Sequence, residues 1–155
     1  MTKTNAMRLL EQAKISYKAM EYEWDEDHLG GEHVAEQTGV PAEQVFKTLV
    51  ARGDKRGILV FCIPVNAELN LKKAAKAAGD KKVEMIHVKE LLGLTGYIRG
   101  GCSPIGMKKK YPTFIDETAI LFDEIAVSAG ARGCQVYLNG ETLSEFVGAT
   151  LCDLI

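Results

Sequence analysis

The sequence lacks long hydrophobic runs. No apolar stretch approaches the roughly 18 residues of a membrane span. The first segment, MTKTNAMRLLEQAK, is amphipathic and mixed in charge, unlike a secretion signal. We therefore expect a cytoplasmic protein with no membrane association. Its 155 residues predict a single domain, residues 1–155.

Cysteine and histidine are too scattered to predict a disulfide framework or a metal centre. The cysteines show no C-x-x-C spacing and stand at Cys62, Cys102, Cys134 and Cys152. The spacing of His28 and His33 fits no common ligand motif. We expect reduced thiols, no metal and no cofactor.

Neither sign of charge predominates, because 19 Lys and Arg residues face 21 Asp and Glu residues and the net charge is −2. Composition alone therefore does not indicate nucleic-acid binding. The two signs are nevertheless segregated, with an acidic stretch at 21–37 and a lysine-rich stretch at 55–110. This asymmetry predicts a face that attracts phosphates, although ordinary solvated lysines would give the same pattern.

Apolar periodicity and turn residues predict strands interleaved with short helices. Helices are expected at 4–14, 32–39, 70–79, 87–93 and 141–149, with a further helical start at 40–45. Strands are expected at 15–24, 46–52, 57–64, 81–86, 113–117, 124–130 and 134–139. The fold class is therefore α+β, with about six or seven strands in a mixed, barrel-like sheet flanked by short helices.

The segment GGCSPIG, residues 100–106, raises the main chemical question. Cys102 could act as a nucleophile, but the segment offers no base to stabilise its thiolate. Gly100 and Gly101 let the backbone approach a ligand closely, and Pro104 fixes the turn. Exposed N–H groups in such a loop bind an anion or polarise a carbonyl. We favour this backbone cradle over the nucleophile, with a purely structural connection as the remaining alternative.

Lys47 is the second candidate, because it stands in EQVFKTLVAR where a helix gives way to a strand. A lysine at the start of an apolar strand either reaches solvent, which is the commoner case, or points into a cleft. In a cleft, its ammonium would bind a phosphate or carboxylate-like oxygen as a point charge.

Four segments of the chain resemble the YbaK family of aminoacyl-tRNA deacylases, which is related to the editing domain of bacterial prolyl-tRNA synthetase. They are PAEQVFKTLV at 41–50, LNLKKAAKAAGDKKVEM at 69–85, TGYIRGGCSPIGMKKKYPTFID at 95–116 and VSAGARG at 127–133. The resemblance implies the fold of that family and hydrolysis of a mischarged tRNA, typically Cys-tRNA(Pro). A small difference in substrate size limits discrimination by binding, which is why a second, hydrolytic sieve is needed.

The resemblance also implies the catalytic residues. Lys47 matches the main functional lysine of the family. A G-x-x-x-P loop that presents backbone groups to the aminoacyl ester is matched by Gly100, Gly101, Cys102, Ser103 and Pro104. In Cys-specific members the substrate's own thiol attacks its ester carbonyl, which requires only positioning and oxyanion stabilisation from the protein.

Further substrate-binding residues follow from the resemblance. Tyr22 matches a tyrosine after the first strand, and Leu29 stands where an aromatic residue is common. Ser128 and Gly130 match a segment that borders the pocket. Gln135 replaces an acidic residue often found in Cys-specific members, so the amino-acid preference stays open. Tyr22, Leu29 and Ser128 could equally be core or strand-surface residues.

The implied partners are the acceptor end of tRNA(Pro) and prolyl-tRNA synthetase, in a ternary complex. Because the sequence shows no separate RNA-binding module, we expect weak, salt-sensitive tRNA binding. Two alternatives stay open: an Ala-tRNA(Pro) deacylase of the same superfamily, and a non-catalytic module that binds aminoacyl-tRNA or the synthetase.

Overall fold

The computed structural model describes residues 2–155, which form two β-sheets with short helices around them. The helices are α1 Asn5–Gln12, α2 Gly31–Thr38, α3 Leu71–Ala78, α4 Leu91–Thr95 and α5 Gly140–Val147. The 3₁₀ turns are Ala42–Gln44, Val88–Glu90 and Glu117–Leu121. The strands are β1 Lys18–Glu21, β2 Phe46–Gly53, β3 Gly57–Pro64, β4 Val83–Met85, β5 Thr113–Asp116, β6 Ile125–Ser128, β7 Cys134–Leu138 and β8 Thr150–Cys152.

The larger sheet is mixed and has the order β4-β2-β3-β5-β8. β2 pairs antiparallel with β3 and β4, whereas β3–β5 and β5–β8 are parallel pairs. The smaller sheet, β1-β7-β6, is antiparallel. A parallel bridge between Val45 and Ala126 joins the two sheets at the start of β2.

The predicted α+β class and the mixed sheet are confirmed, but the strand number and arrangement differ. Residues 2–155 contain eight strands in two sheets rather than six or seven in one barrel-like sheet. The missed strand, β8, has only three residues and is too short for an alternating pattern. The strand expected at 15–24 covers only Lys18–Glu21, because its partner β7 has five residues.

Two further predictions of local structure were inaccurate. The helix expected to start at 40–45 is only a 3₁₀ turn, because Val45 already has an extended backbone and bridges to Ala126. The helix predicted at 87–93 begins as the 3₁₀ turn Val88–Glu90 and continues as α4.

Capping residues fix the ends of the helices. The side chain of Asn70 accepts hydrogen bonds from the amides of Lys72 and Lys73 at the start of α3. Gly79 ends the same helix in a left-handed conformation. α3 then buries its alanines against one face of the larger sheet, and the main core lies between the two sheets with α1 and α5. Within residues 2–155, every helix is too short or too polar to cross a membrane.

Candidate active site

A cavity of about 380 Å³ lies between the start of β2, the Arg99–Cys102 segment and the β6–β7 hairpin. Its apolar wall consists of Leu29, Val45, Phe46, Leu49, Val50, Val65, Met85, Ile86, Val88 and Leu91. Its polar lining residues are Lys47, Thr48, Arg99, Cys102, Ser128 and Gln135, and its glycines are Gly30, Gly31 and Gly100. A mainly apolar cleft of this size with a few polar groups is typical of a small-ligand site.

Six of the predicted site residues meet at this cavity, although they come from four separate parts of the chain. They are Leu29, Lys47, Gly100, Cys102, Ser128 and Gln135. The last two lie opposite each other on β6 and β7. The structure therefore places the lysine and the first part of the glycine loop at one site.

Three residues of the predicted G-x-x-x-P loop lie behind the cavity wall. The Gly101 amide donates to the Ile98 carbonyl at 3.0 Å, so this N–H is already used within the loop. Ser103 is fully buried, and its hydroxyl accepts a hydrogen bond from the Ile105 amide at 3.2 Å. Pro104 is also buried and lines a second, smaller cavity. These residues support the shape of the loop.

Tyr22 and Gly130 also lie outside the lining of the cavity. Tyr22 packs against the apolar cluster that contains Val34 and Tyr137. Gly130 has a φ of +94°, and a Cβ there would lie 2.9 Å from Cε1 of Tyr97. Gly130 therefore accommodates the ring of Tyr97, which belongs to the segment leading into the loop.

Lys47 contributes an ammonium without an ionic partner. It is half-buried on β2, and its Nζ donates to the Val65 carbonyl at 3.4 Å. No carboxylate of residues 2–155 forms an ion pair with it. Arg99 is the second cation, and no Asp or Glu of the described chain lines the cavity. The site is therefore positively charged, although the whole chain carries a net charge of −2.

Cys102 presents a thiol that is poorly suited to nucleophilic attack. It is only 8% exposed. Burial raises the pKa of its thiol to about 12, against a smaller lowering by a hydrogen bond with Thr95. The group is therefore protonated near neutral pH, whereas a nucleophilic cysteine needs its thiolate.

Side-chain hydrogen bonds hold the loop segment in place. The Tyr97 hydroxyl donates to the Ile105 carbonyl. The Arg132 Nε donates to the Arg99 carbonyl at 2.8 Å, and its guanidinium lies 5.2 Å from the centre of the Trp24 ring. The loop thus depends on contacts from both sides.

Sequence reasoning missed several lining residues, including Thr48, Arg99 and the apolar residues Met85 and Val88. Thr48 directly follows Lys47, so strand alternation alone would place it on the opposite face. Arg99 lies within the segment TGYIRGG, which was a usable signal. The sequence gives no signal that Met85 and Val88 line a cavity, because each is an ordinary apolar residue.

The fold and the site together define an α+β domain with a cavity of small-ligand size, lined by two cationic residues and part of a glycine-containing loop. The family model described as "Aminoacyl-tRNA editing domain" matches residues 28–146. The chain belongs to this family.

Individual relatives agree with this assignment. The chain is 53% identical over 152 residues, 98% of its own length and 93% of the relative's, to EbsC of Enterococcus faecalis, whose name proposes a Cys-tRNA(Pro)/Cys-tRNA(Cys) deacylase. It is also 33% identical over 124 residues to the proline–tRNA ligase of Thermosipho africanus. This aligned region covers 80% of this chain and 22% of the ligase.

A solved structure shares the fold. A crystal structure of a proposed trans-editing enzyme for prolyl tRNA synthetase matches with a TM-score of 0.80. The match covers 99% of this chain and 98% of that one, at 22% sequence identity.

Proposed function

We propose that this chain is a trans-editing aminoacyl-tRNA deacylase that hydrolyses mischarged Cys-tRNA(Pro). The observation that carries the proposal is that Lys47, Gly100 and Cys102 line the same cavity, without an acidic side chain among the described lining residues. An aminoacyl ester on a phosphate-bearing ribose needs such a cation and such close access to backbone. Family membership and the name of EbsC support the substrate class.

The two cations are the proposed contacts for the acceptor end of the tRNA. Lys47 lies within the cavity wall, whereas Arg99 is exposed. Neither is in an ion pair with another residue of the described chain. Binding through so few phosphate contacts is weak and weakens further as salt rises. Delivery of the tRNA by prolyl-tRNA synthetase would compensate for this weakness.

The proposed chemistry uses the thiol of the substrate. Its sulfur bonds to the ester carbonyl carbon, the carbon–oxygen bond to the ribose breaks, and the thiol proton passes to the released ribose oxygen. The products are a cyclic thiolactone and a tRNA with a free terminal ribose hydroxyl, and water then opens the thiolactone to cysteine, which completes the hydrolysis. Two features of the cavity support this route. No His, Asp or Glu of residues 2–155 lines it, and the pKa of the Cys102 thiol is raised to about 12.

The protein would then contribute position and hydrogen-bond donors. The Cys102 amide is a candidate donor, since Cys102 lines the cavity and its N–H has no acceptor within residues 2–155. Lys47 would fix the ribose end of the ester. Both groups act only when the ester lies between β2 and the loop.

Gln135 supports a polar contact with the amino-acid part of the substrate. Gln135 is one of the residues that line the cavity and is 4% exposed, and its Oε1 is buried with no hydrogen-bond partner in the described chain. An unpaired buried oxygen is unfavourable until a donor meets it. Rotation of the Gln135 amide would bring this oxygen to the cavity, where a thiol or ammonium of the bound aminoacyl group would supply that donor.

The decisive experiment measures deacylation of purified Cys-, Ala- and Pro-tRNA(Pro) by the wild type and by Lys47→Ala. We expect turnover of Cys-tRNA(Pro), little turnover of Pro-tRNA(Pro), and strong loss in the variant. Preference for Ala-tRNA(Pro) would point to the related editing activity. Binding without turnover of any of the three would show a non-catalytic module.

A further inference from the structure

β2 has an open backbone edge inside the cavity, at Thr48. β3 covers one edge of β2 along the whole strand. β4 covers the other edge only from Ala51 to Gly53. At the start of β2, Val45 bridges to Ala126 of the smaller sheet. Between these two partners, no strand of the described chain pairs with the second edge.

The hydrogen bonds of the neighbouring residues show which way the backbone of Thr48 faces. The Val45 carbonyl accepts from Val65, which follows β3, at 2.8 Å. The Val50 carbonyl accepts from Ile86, which follows β4, at 3.3 Å. The backbone N–H and C=O groups of successive strand residues point to alternate edges of the strand. In β2, those of odd-numbered residues therefore point to β3, and those of even-numbered residues point away from it. The N–H and C=O of Thr48 therefore face the open edge.

Two further observations agree with this register. Pro64 lies opposite Phe46 and has no N–H, which suits a pair that exchanges no hydrogen bonds. The Val60 amide, opposite Val50, donates to the Pro112 carbonyl at 2.9 Å, on the far side from β2. The pair of Thr48 and Cys62 lies between these two pairs, so it also exchanges no backbone hydrogen bonds across β2 and β3.

We propose that the open edge at Thr48 binds the main-chain atoms of the aminoacyl group, an inference that rests on the proposed function. An α-aminoacyl ester carries an ammonium donor and a carbonyl acceptor on either side of its Cα. The Thr48 carbonyl accepts from this ammonium, and the Thr48 N–H donates to the ester carbonyl. The substrate thus occupies the place of one residue in an antiparallel ladder.

The open edge of β2 is short, and its length limits the class of substrate that can bind there. The Val45–Ala126 bridge limits it on one side and the Val50–Ile86 hydrogen bond limits it on the other. A peptide strand needs several free residues along an edge, whereas a single aminoacyl group needs one. The open edge therefore selects an aminoacyl ester with a free ammonium over a peptidyl or N-acylated ester.

Amide hydrogen exchange tests the open edge directly, with Leu49 as the matched control on the same strand. In the free protein we expect the Thr48 amide to exchange at least about tenfold faster than the Leu49 amide, which faces β3. Saturation with 3′-(L-alanylamino)-3′-deoxyadenosine, an analogue that is not hydrolysed, should slow exchange at Thr48 and leave Leu49 unchanged. Equal protection of the two amides in the free protein, or no change at Thr48 on binding, would overturn the inference.

A second analogue tests the ammonium contact. We expect 3′-(propionylamino)-3′-deoxyadenosine, which lacks the ammonium, to bind about ten- to a hundred-fold more weakly than the alanyl analogue. Equal affinities, or binding of neither analogue, would overturn the inference. Turnover of Cys-tRNA(Pro) alongside equal affinities would leave the deacylase intact, whereas protection of Thr48 without any turnover would reject the deacylase and retain the open edge as a ligand site.

Discussion

The two walls of the cavity that carry the proposed chemistry are built in opposite ways. On one side, β2 is a strand of the larger sheet, and β3 supports it from Phe46 to Gly53. On the other side, residues 97–112 contain no helix or strand. That segment keeps its shape through bonds such as the one from the Tyr111 hydroxyl to the Leu94 carbonyl, at 2.6 Å.

The difference shows where each wall is sensitive to substitution. The strand wall is held by its backbone ladder, and the Lys47 side chain makes only one long hydrogen bond, so we expect it to contribute little to stability. The loop wall depends on a positive φ at Gly100 and on particular side-chain hydrogen bonds. Substitution of Lys47 should therefore lower activity with little change in stability, whereas substitution of Gly100 should lower both.

The largest effect on activity is expected for Lys47→Ala. Loss of the only ammonium within the cavity wall, among the described residues, should lower kcat/KM on Cys-tRNA(Pro) about 100- to 1,000-fold. The free energy of unfolding should change little, since the Lys47 ammonium makes one long hydrogen bond of 3.4 Å. Deacylation assays and urea unfolding measure the two quantities.

Two variants control this prediction. Lys47→Arg retains the charge with a different shape and should recover part of the activity. Lys55→Ala removes an exposed lysine of the β2–β3 turn and should leave activity unchanged. Equal losses in Lys47→Ala and Lys55→Ala would mean that general electrostatic attraction, rather than a site contact, explains the effect.

Gly100→Ala is expected to affect stability and activity together. Gly100 has a φ of +86°, and a Cβ there would lie 3.1 Å from Cδ2 of Leu29. The substitution should lower the free energy of unfolding by about 1–2 kcal/mol and reduce turnover, because the loop has to shift. Gly93→Ala is the matched control, since a Cβ at Gly93 in α4 meets no atom within 4 Å. The control should be neutral or stabilising, and a Gly100→Ala protein with wild-type activity would contradict the cradle.

Tyr97→Phe is expected to have a smaller effect. The change removes the hydroxyl that donates to the Ile105 carbonyl while the ring that packs on Gly130 stays. The free energy of unfolding should fall by about 1 kcal/mol, measured by thermal or urea unfolding.

The advantage of Tyr97 over phenylalanine should also depend on pH. Burial raises the pKa of Tyr97 to about 12. The unfolded phenol ionises near pH 10, so the stabilisation is complete below about pH 10 and is lost as the pH rises towards 12. A constant difference between wild type and Tyr97→Phe from pH 8 to about pH 12 would contradict this role.

The fold could be predicted where a pattern is local. The hairpin β2–β3 follows from two apolar runs around GDKRG, and α3 follows from its alanines and Gly79. β8 and the division into two sheets could not be predicted. Both depend on which strand ends meet in space, and three residues at 150–152 carry too little pattern.

The site could be predicted only as far as the resemblance reached. The local sequence indicates Lys47 and the loop at Gly100 as candidates, the resemblance implies that they act together, and both line one cavity. The open edge at Thr48 had no signal in the sequence, because it exists only where the pairing of β4 stops at Ala51. The resemblance predicts Tyr22 and Gly130 at the pocket, but both lie outside the lining of the cavity and pack near other aromatic residues.

The smallest effect on activity is expected for Cys102→Ala. The substitution keeps the backbone N–H proposed as a donor and removes a thiol whose pKa is raised to about 12 by burial. Most of the deacylation activity should therefore remain, and iodoacetamide at pH 7 to 8 should react slowly with Cys102 in the wild type, because the attacking thiolate is scarce there. Mass spectrometry after alkylation measures that reaction, with an unfolded sample as the control for full labelling. If Cys102→Ala lost as much activity as Lys47→Ala, the loop would act through its thiol rather than through its backbone N–H groups.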